Sequence, residues 1–466
     1  MKSKKLALTA MTFALCGTLG GGLALAGCTT APATATDGDE APMAQTGTEG
    51  AEAADDGIMT MQDWGKKYPL QYNSFKTCDY KLVQFSELDG MDTFYEDSDG
   101  ITPQGHYAAM LTETGPISRD AESSLLFADD RFGVDSLDWD PDTKQWIVDD
   151  STWVDVINEA GYTKGCYACR SSVFDREYKE KGAEVYAQPI DEEFAAQLKG
   201  QLWDCALCHD GEPGTNTDAT ATMFTQLARD TYDEFDPMER VCGQCHNTFN
   251  HRRWITDQET MDSFDPYKYG TDIDSLMKAE LEDGIYDVDE DTGIKIGCFD
   301  EPELEQNQGG YHAELGLTCV DCHMPKVTDP ESGETYTSHD ASGSPLAKPE
   351  SLEKCMSCHK GQGIDSTDDM IKMVREKQLQ ARKDLRAGKD RLANAYDLIK
   401  AAVDGKTVDE ATLDQVREEY TYAEAELRII NSDSQGRAVH NPEKVADYIA
   451  KANSRIDTIE KTLGAA

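Results

Sequence analysis

The sequence predicts a mainly α-helical protein with little sheet, in which a cysteine-rich region precedes long C-terminal helices. Five Cys-x-x-Cys pairs lie between residues 166 and 360, joined by long irregular connections that contain several short helices. From Asp368 to Val403 the chain is charged and helix-favouring, and its apolar residues recur at helical spacing. The two regions therefore differ in character, and the second predicts a helical bundle or hairpin.

The predicted C-terminal helices have recognisable ends. Gly405 closes the first, and the segment Thr407-Val408-Asp409-Glu410 has the form of a capping box that begins a second helix to about residue 430. Asn441-Pro442 begins a third helix, with proline at the first helical position. This helical region is expected either to pack on the cysteine-rich region or to form an oligomer interface.

The N-terminus predicts export. A basic start is followed by an apolar stretch that ends in Leu25-Ala26-Gly27-Cys28, which looks like a bacterial lipobox with Cys28 as the acylated residue. A plain signal peptide or a membrane anchor is the alternative. We predict a lipoprotein signal peptide over 1–27, a disordered acidic tether over 28–57, a cysteine-rich domain over 58–365 and a long-helix region over 366–466. The expected location is the outer face of the cytoplasmic membrane, on the periplasm or cell-wall side.

The chain of 466 residues is strongly acidic, with a formal net charge of −45. Such a surface excludes nucleic-acid binding, because the phosphate backbone would be repelled. It is suited to solubility and to a basic redox partner, although a solvated face without a partner explains it equally well.

Four of the five cysteine pairs are followed by histidine, which is the attachment signature of c-type haem. Two thiols at this spacing reach the two vinyl groups, and the following imidazole binds the iron. Structural zinc is the alternative interpretation. Only 9 residues of the chain are histidine, and four of them directly follow a cysteine pair, which favours haem attachment. The haem-attaching cysteines are Cys166 and Cys169, Cys205 and Cys208, Cys242 and Cys245, Cys319 and Cys322, and Cys355 and Cys358; the histidines are His209, His246, His323 and His359. The sequence thus predicts five c-type haems, numbered here in chain order.

The remaining histidines match the demand for second iron ligands. Four haems with two histidines each need four more imidazoles, and the chain has His106, His251, His312, His339 and His440 left. The first pair is followed by Arg170 instead, and a protonated guanidinium offers iron no lone pair. An iron with only one strong ligand can bind substrate, so the functional question centres on haem 1.

Two further cysteines lie outside the pairs and outside the signal sequence. Cys78 and Cys298 could form a disulfide in an exported protein, or both could be free thiols.

The chain resembles the pentahaem cytochrome c nitrite reductases, which form ammonia. The resemblance rests on haem number, order and spacing, and on these segments: Tyr72-Asn73-Ser74-Phe75-Lys76, Gly105-His106, Cys319 to Lys326, Tyr336-Thr337-Ser338-His339 and His440-Asn441-Pro442. It implies a mainly α multihaem cytochrome c domain with little sheet, more firmly than periodicity does. It also implies long C-terminal helices that build a homodimer, with His339 on haem 2, His106 on haem 3, His440 on haem 4 and His312 on haem 5.

The family's haem 1 pocket is altered in this sequence. Arg170 replaces the ligating lysine, and Thr248 and Phe249 stand where the family has a calcium-ligating glutamate and the catalytic tyrosine. Glu301 stands where the catalytic histidine belongs, and Arg119 lies one residue from the family's arginine. Of the family's calcium positions only Asp300 keeps a carboxylate, with Cys298 at another, so calcium stays an alternative rather than an expectation.

Two functions remain open, beside a third reading as a multihaem scaffold without redox partners. In the first, the protein is a multielectron reductase of a small inorganic anion, with nitrite foremost. Glu301 is then the proton donor, His251 ligates or faces haem 1, and Arg119, Arg170, Arg252 or Arg253 supply positive potential. In the second, haem 1 has lost catalysis, and the protein passes electrons from a quinol dehydrogenase or another redox protein to a separate reductase.

Overall fold

The structure is a computed structural model of the chain. It describes residues 59–75, 137–140, 145–148, 162–198, 204–209, 220–249, 254–299, 301–341, 345–433 and 438–464, together with 154, 155 and 158. These residues lie within one compact unit that extends from Glu49 to Ala466.

The described part of the chain is mainly helical, as the sequence predicts. Short helices cover the first two thirds and three long ones end the chain. They are α1 Met61–Lys67, α2 Pro69–Phe75, α3 Ser172–Lys181, α4 Glu192–Leu198, α5 Thr222–Leu227, α6 Pro237–Gly243, α7 Gln258–Ser263, α8 Ile273–Asp283, α9 Glu303–Asn307, α10 Tyr311–Glu314, α11 Cys319–His323, α12 Pro349–His359, α13 Thr367–Gly405, α14 Glu410–Ser432 and α15 Pro442–Leu463.

Sheet is confined, in the described residues, to three antiparallel two-stranded hairpins. They pair β1 Leu137–Asp140 with β2 Gln145–Val148, β3 Asp287–Val288 with β4 Lys295–Ile296, and β5 Lys326–Thr328 with β6 Thr335–Thr337. The third hairpin has Val327 opposite Tyr336 and directly follows the fourth Cys-x-x-Cys-His motif. It therefore brings His339, two residues after β6, back toward the haem-binding region.

Helices α13, α14 and α15 pack on one another as a three-helix bundle. The predicted start of α15 is confirmed, because the Asn441 side chain accepts a hydrogen bond from the backbone N–H of Lys444 and Pro442 follows it. The predicted capping box at Thr407 is wrong. Asp409 caps α14 by accepting from the N–H of Thr412. Thr407 lies two residues beyond α13, and its N–H donates to the carbonyl of Ala402 in the last turn of that helix.

One continuous apolar core joins the bundle to the region of short helices. It runs from Tyr167 through the aromatic residues of α3, α4 and α5 and the aliphatic residues of α8 to the inward faces of α13, α14 and α15. A smaller cluster of Leu352, Met370 and Val374 joins the last cysteine motif to the start of α13. The long helices thus pack against the segments that carry the cysteine motifs.

No helix among the described residues is both long enough and apolar enough to cross a membrane.

Candidate haem-binding region

Each Cys-x-x-Cys motif lies in or beside a helical turn. Cys166 and Cys205 lie in 3-10 turns at Lys164–Tyr167 and Cys205–Leu207, and Cys242 lies near the end of α6. Cys319 begins α11, and Cys355 lies in the last two turns of α12. Helical winding brings the two thiols and the following side chain of each motif to neighbouring positions, which suits attachment to one flat group.

The second motif lies beside one of the distant histidines. The imidazole ring of His209 is 6.1 Å from that of His339, measured between ring centres. The backbone N–H of His339 donates to the hydroxyl of Ser74 over 2.8 Å, and its ring nitrogen Nδ1 contacts the carbonyl of Thr337 at 2.9 Å. Helix α2 and the β5–β6 hairpin therefore hold His339 opposite His209.

The fifth motif lies beside a second distant histidine. The ring centres of His312 and His359 are 6.3 Å apart. Tyr311 and Leu315 flank His312 and expose 63% and 57% of their surface. Exposed apolar side chains beside an imidazole are surfaces that a porphyrin could cover.

Both separations fit a pair of imidazoles on one iron. A metal-bound nitrogen lies about 2 Å from the metal and about 1 Å from its own ring centre, so two such rings have centres about 6 Å apart. Burial lowers the pKa of His209 to about 4, and neutral imidazole is the form that binds metal. The residues present thus fit haem at the second and fifth motifs.

The third and fourth motifs lie against each other. The thiols of Cys242 and Cys319 share a hydrogen bond, and His440 acts electrostatically on His323, whose pKa is lowered to about 3 mainly by burial. The distant His440 therefore lies near the fourth motif, where the family resemblance expects it.

Two of these imidazoles have a carboxylate behind them. Nδ1 of His440 is 3.2 Å from Oδ2 of Asp433, and Nδ1 of His246 is 3.4 Å from Oε2 of Glu303. Partial burial lowers the pKa of His440, but the carboxylate of Asp433 outweighs it and raises that pKa to about 9. The side chain of His246 is 47% exposed, so the carboxylate of Glu303 outweighs desolvation and raises its pKa.

The first motif is built differently from the others. Arg170 is 5% exposed, and its Nη1 donates to the carbonyl of Cys166 over 2.6 Å. The guanidinium thus turns back onto its own motif. Gly165 packs against Tyr186, whose carbonyl would lie 2.6 Å from an added Cβ, so the turn requires glycine here.

The first motif also contacts the third. The thiol of Cys245 donates to the carbonyl of Cys169 over 3.3 Å. Arg170 and Glu301 both act electrostatically on Cys245, which brings these two candidate residues into one region. Glu301 has a left-handed backbone, with φ of 50°, an unfavourable conformation for a residue with a side chain.

The two residues at altered family positions are buried. Phe249 packs edge-on against Phe264 and Tyr267, with ring centres 5.3 and 5.4 Å away. Thr248 donates to the carboxylate of Glu305 through its N–H over 3.1 Å, and the Tyr267 hydroxyl donates to the same oxygen over 2.7 Å. Burial raises the pKa of Glu305 to about 7. Phe249 thus belongs to an aromatic cluster, and Thr248 belongs to a polar triad with Glu305 and Tyr267.

Several predicted positions lie outside the described residues. They are Cys28, Cys78, His106, Arg119, His251, Arg252, Arg253 and Asp300, and with them the signal peptide and the tether. Cys298 is described, and its backbone N–H donates to the carboxylate of Glu280. Within the described ranges, no group of three or more His, Cys, Asp or Glu side chains is arranged to hold a metal ion on its own.

The helical framework, the repeated Cys-x-x-Cys-His motifs and the paired imidazoles define a multihaem c-type cytochrome. The family model of cytochrome c552 matches residues 60–465, and the chain belongs to that family. Membership implies c-type haem as the cofactor.

Two individual proteins show the range of this similarity. A cytochrome c-552 of Haemophilus ducreyi is 25% identical over 275 residues, which cover 54% of this chain and 50% of that protein. The chain thus aligns with about half the length of this curated relative. A solved cytochrome c nitrite reductase of Desulfovibrio desulfuricans, a catalytic subunit with two calcium sites, has the same fold with a TM-score of 0.58 at 17% identity, covering 87% of this chain and 86% of that one.

The sequence did not predict that Asp433 and Glu303 contact histidines of the haem-binding region. A signal existed for Asp433, because it lies seven residues before His440, across the turn that joins two predicted helices. Glu303 follows Glu301 by two residues in an acidic segment, where nothing in the pattern singles out one carboxylate.

Proposed function

We propose that the protein is an exported, lipid-anchored pentahaem cytochrome that acts as a multielectron reductase of a small substrate, foremost nitrite to ammonia. The observation that carries the proposal is the position of Arg170. Its guanidinium donates to the carbonyl of Cys166, so the side chain that follows the first motif is turned away from a ligand role. Haem 1 then keeps a position for substrate, as no other haem here does.

The ligand sets of the other four haems belong to the same proposal. His209 pairs with His339 and His359 with His312, supported by the ring separations of 6.1 and 6.3 Å. His323 pairs with His440, and His246 with His106. Four irons with two imidazoles each can store and pass electrons but cannot bind substrate.

Three kinds of side chain would assist the reaction at haem 1. The haem itself, when bound, supplies the electrons. Glu301 donates protons to the substrate, and its left-handed backbone is the kind of strain found at functional sites. Arg119, Arg252 and Arg253 hold an anion in a protein whose net charge is −45. Arg170 adds positive potential near the third motif, and His251 faces or ligates haem 1.

A second candidate function is electron transfer without catalysis, from a quinol dehydrogenase or another redox protein to a separate reductase. The packing of Phe249 favours it. Where the family has a catalytic tyrosine, this chain has a fully buried ring among Phe264 and Tyr267, with no hydroxyl to deliver a proton.

Turnover and spin state separate the two functions. The reduced holoprotein is assayed with nitrite, hydroxylamine and sulfite, and the ferric form is examined by electron paramagnetic resonance. A high-spin haem together with ammonia formation supports the reductase. Five low-spin haems and no turnover would leave electron transfer as the function.

Export and assembly have separate tests. The proposed lipoprotein begins at an acylated Cys28, which mass spectrometry of the mature protein detects; an unmodified N-terminus would contradict it. The proposed homodimer is checked by the mass of the holoprotein in solution.

A further inference from the structure

The groups that contact Nδ1 differ among the histidines proposed as iron ligands. Nδ1 of His440 contacts the carboxylate of Asp433 at 3.2 Å, whereas Nδ1 of His339 contacts the backbone carbonyl of Thr337 at 2.9 Å. Nδ1 of His209 is buried and has no hydrogen-bond partner within the described part of the chain. The charge behind the imidazole thus differs from one proposed haem to another.

The carboxylate of Asp433 is buried and contacts His440 rather than the solvent. Its side chain is 2% exposed, and its second oxygen, Oδ1, is buried without a partner in the described ranges. A buried carboxylate is costly unless it is paired. Asp433 directly follows α14 and His440 directly precedes the cap of α15, so the contact joins the end of one long helix to the start of the next.

A second carboxylate lies in the same part of the molecule. Glu303, the first residue of α9, contacts Nδ1 of His246 at 3.4 Å and also acts electrostatically on His440. The thiol contact between Cys242 and Cys319 shows that the third and fourth motifs adjoin. The third motif in turn contacts the first, through Cys245 and the carbonyl of Cys169.

We propose that Asp433, with Glu303 beside it, makes the adjoining haems 4 and 3 the low-potential pair of this protein, next to haem 1. The inference rests on the proposed ligation of these haems by His440 and His246. A carboxylate that accepts from Nδ1–H gives the imidazole more negative charge, which stabilises the ferric iron over the ferrous iron. At haem 2, Nδ1 of His339 contacts a neutral backbone carbonyl instead, so the potential of haem 2 is expected to be higher. A low-potential haem 3 would donate electrons readily, and the first motif is in contact with the third.

The test is a spectroelectrochemical titration of the holoprotein and its variants. Asp433→Asn keeps an acceptor oxygen but removes the charge, and it is expected to shift one midpoint potential to more positive values while that haem stays low-spin. Asp433→Glu is expected to restore the original potential. Asp457→Asn is the matched control, because it removes one acidic charge from an ion pair with Arg391 rather than from an imidazole. It should leave every midpoint potential unchanged.

The ligand assignment is tested separately with His440→Ala, which should turn one low-spin signal high-spin. If that happens but Asp433→Asn shifts no potential, or shifts it no more than Asp457→Asn does, the inference is wrong and the ligand assignment stands. If His440→Ala changes no spin state, the proposed ligation of haem 4 fails and the inference fails with it. Haem content per chain, measured on each variant, shows that it has folded and been loaded.

Discussion

Replacing Glu426 by glutamine should make the protein more stable in alkaline solution and leave it nearly unchanged in acid. Glu426 is fully buried in α14, and its Oε1 accepts from Nε of Arg455 over 2.9 Å. Arg455 also pairs with Glu419 and Asp274, so three carboxylates share one guanidinium. Burial, opposed by Arg455 and reinforced by Asp274, raises the pKa of Glu426 from 4.5 to about 8. A protonated Glu426 can donate to Asp274, while Arg455 keeps its contacts with Asp274 and Glu419.

The expected change in the free energy of unfolding follows from proton linkage. The native state holds the Glu426 proton up to about pH 8, whereas the unfolded chain loses it above about 4.5. The native state binds more protons between these values, so the free energy of unfolding falls as pH rises through this window. At about 1.4 kcal/mol for each pH unit, the loss approaches about 5 kcal/mol. Glu426→Gln cannot ionise and escapes this loss.

Denaturant unfolding of the holoprotein, followed by helical circular dichroism at pH 5 and pH 9, measures the effect. The variant should match the natural protein at pH 5 within about 1 kcal/mol, the worth of one hydrogen bond. At pH 9 it should be more stable by several kcal/mol. Glu419→Gln is the control, because it contacts the same arginine from a partly exposed position and should show no such pH dependence. Equal destabilisation of Glu426→Gln at both pH values would refute the reasoning and mean that Glu426 is ionised beside Arg455.

Three further changes test the haem-binding region and its framework. Arg170→His places an imidazole where the other four motifs have theirs, so the haem 1 spectrum should change; an unchanged spectrum and turnover would mean that residue 170 does not face the iron. His312→Ala should convert one low-spin haem to high-spin without loss of haem, because Cys355 and Cys358 still hold it, and a spectrum with every low-spin signal intact would contradict its proposed role. Asn441→Ala removes the cap of α15 and should cost about 1 kcal/mol in thermal unfolding; no loss would mean that the cap bond to Lys444 is not formed in solution.

The C-terminal helices could be predicted from the sequence because their signals are local. Apolar spacing and the Asn441-Pro442 start are properties of neighbouring residues, and α13 and α15 lie where these signals indicate. The capping error at Thr407 has the same origin. Thr407 and Asp409 are both good capping residues, and only the bond from Thr407 to Ala402 in the preceding helix decides between them.

The sequence by itself determined which residues can attach haem, because the two thiols and the following histidine of each motif are neighbours along the chain. It could also count the histidines available as second ligands. The family resemblance implied which distant histidine belongs to which haem, but residue spacing could not show the contact, because His339 lies beside His209 and His312 beside His359 only through hairpins and helices far apart in sequence. Only the tertiary structure decided that Arg170 turns back onto Cys166 and that Asp433 lies behind His440. These contacts depend on how whole helices pack, and packing is a property of the folded chain rather than of any segment.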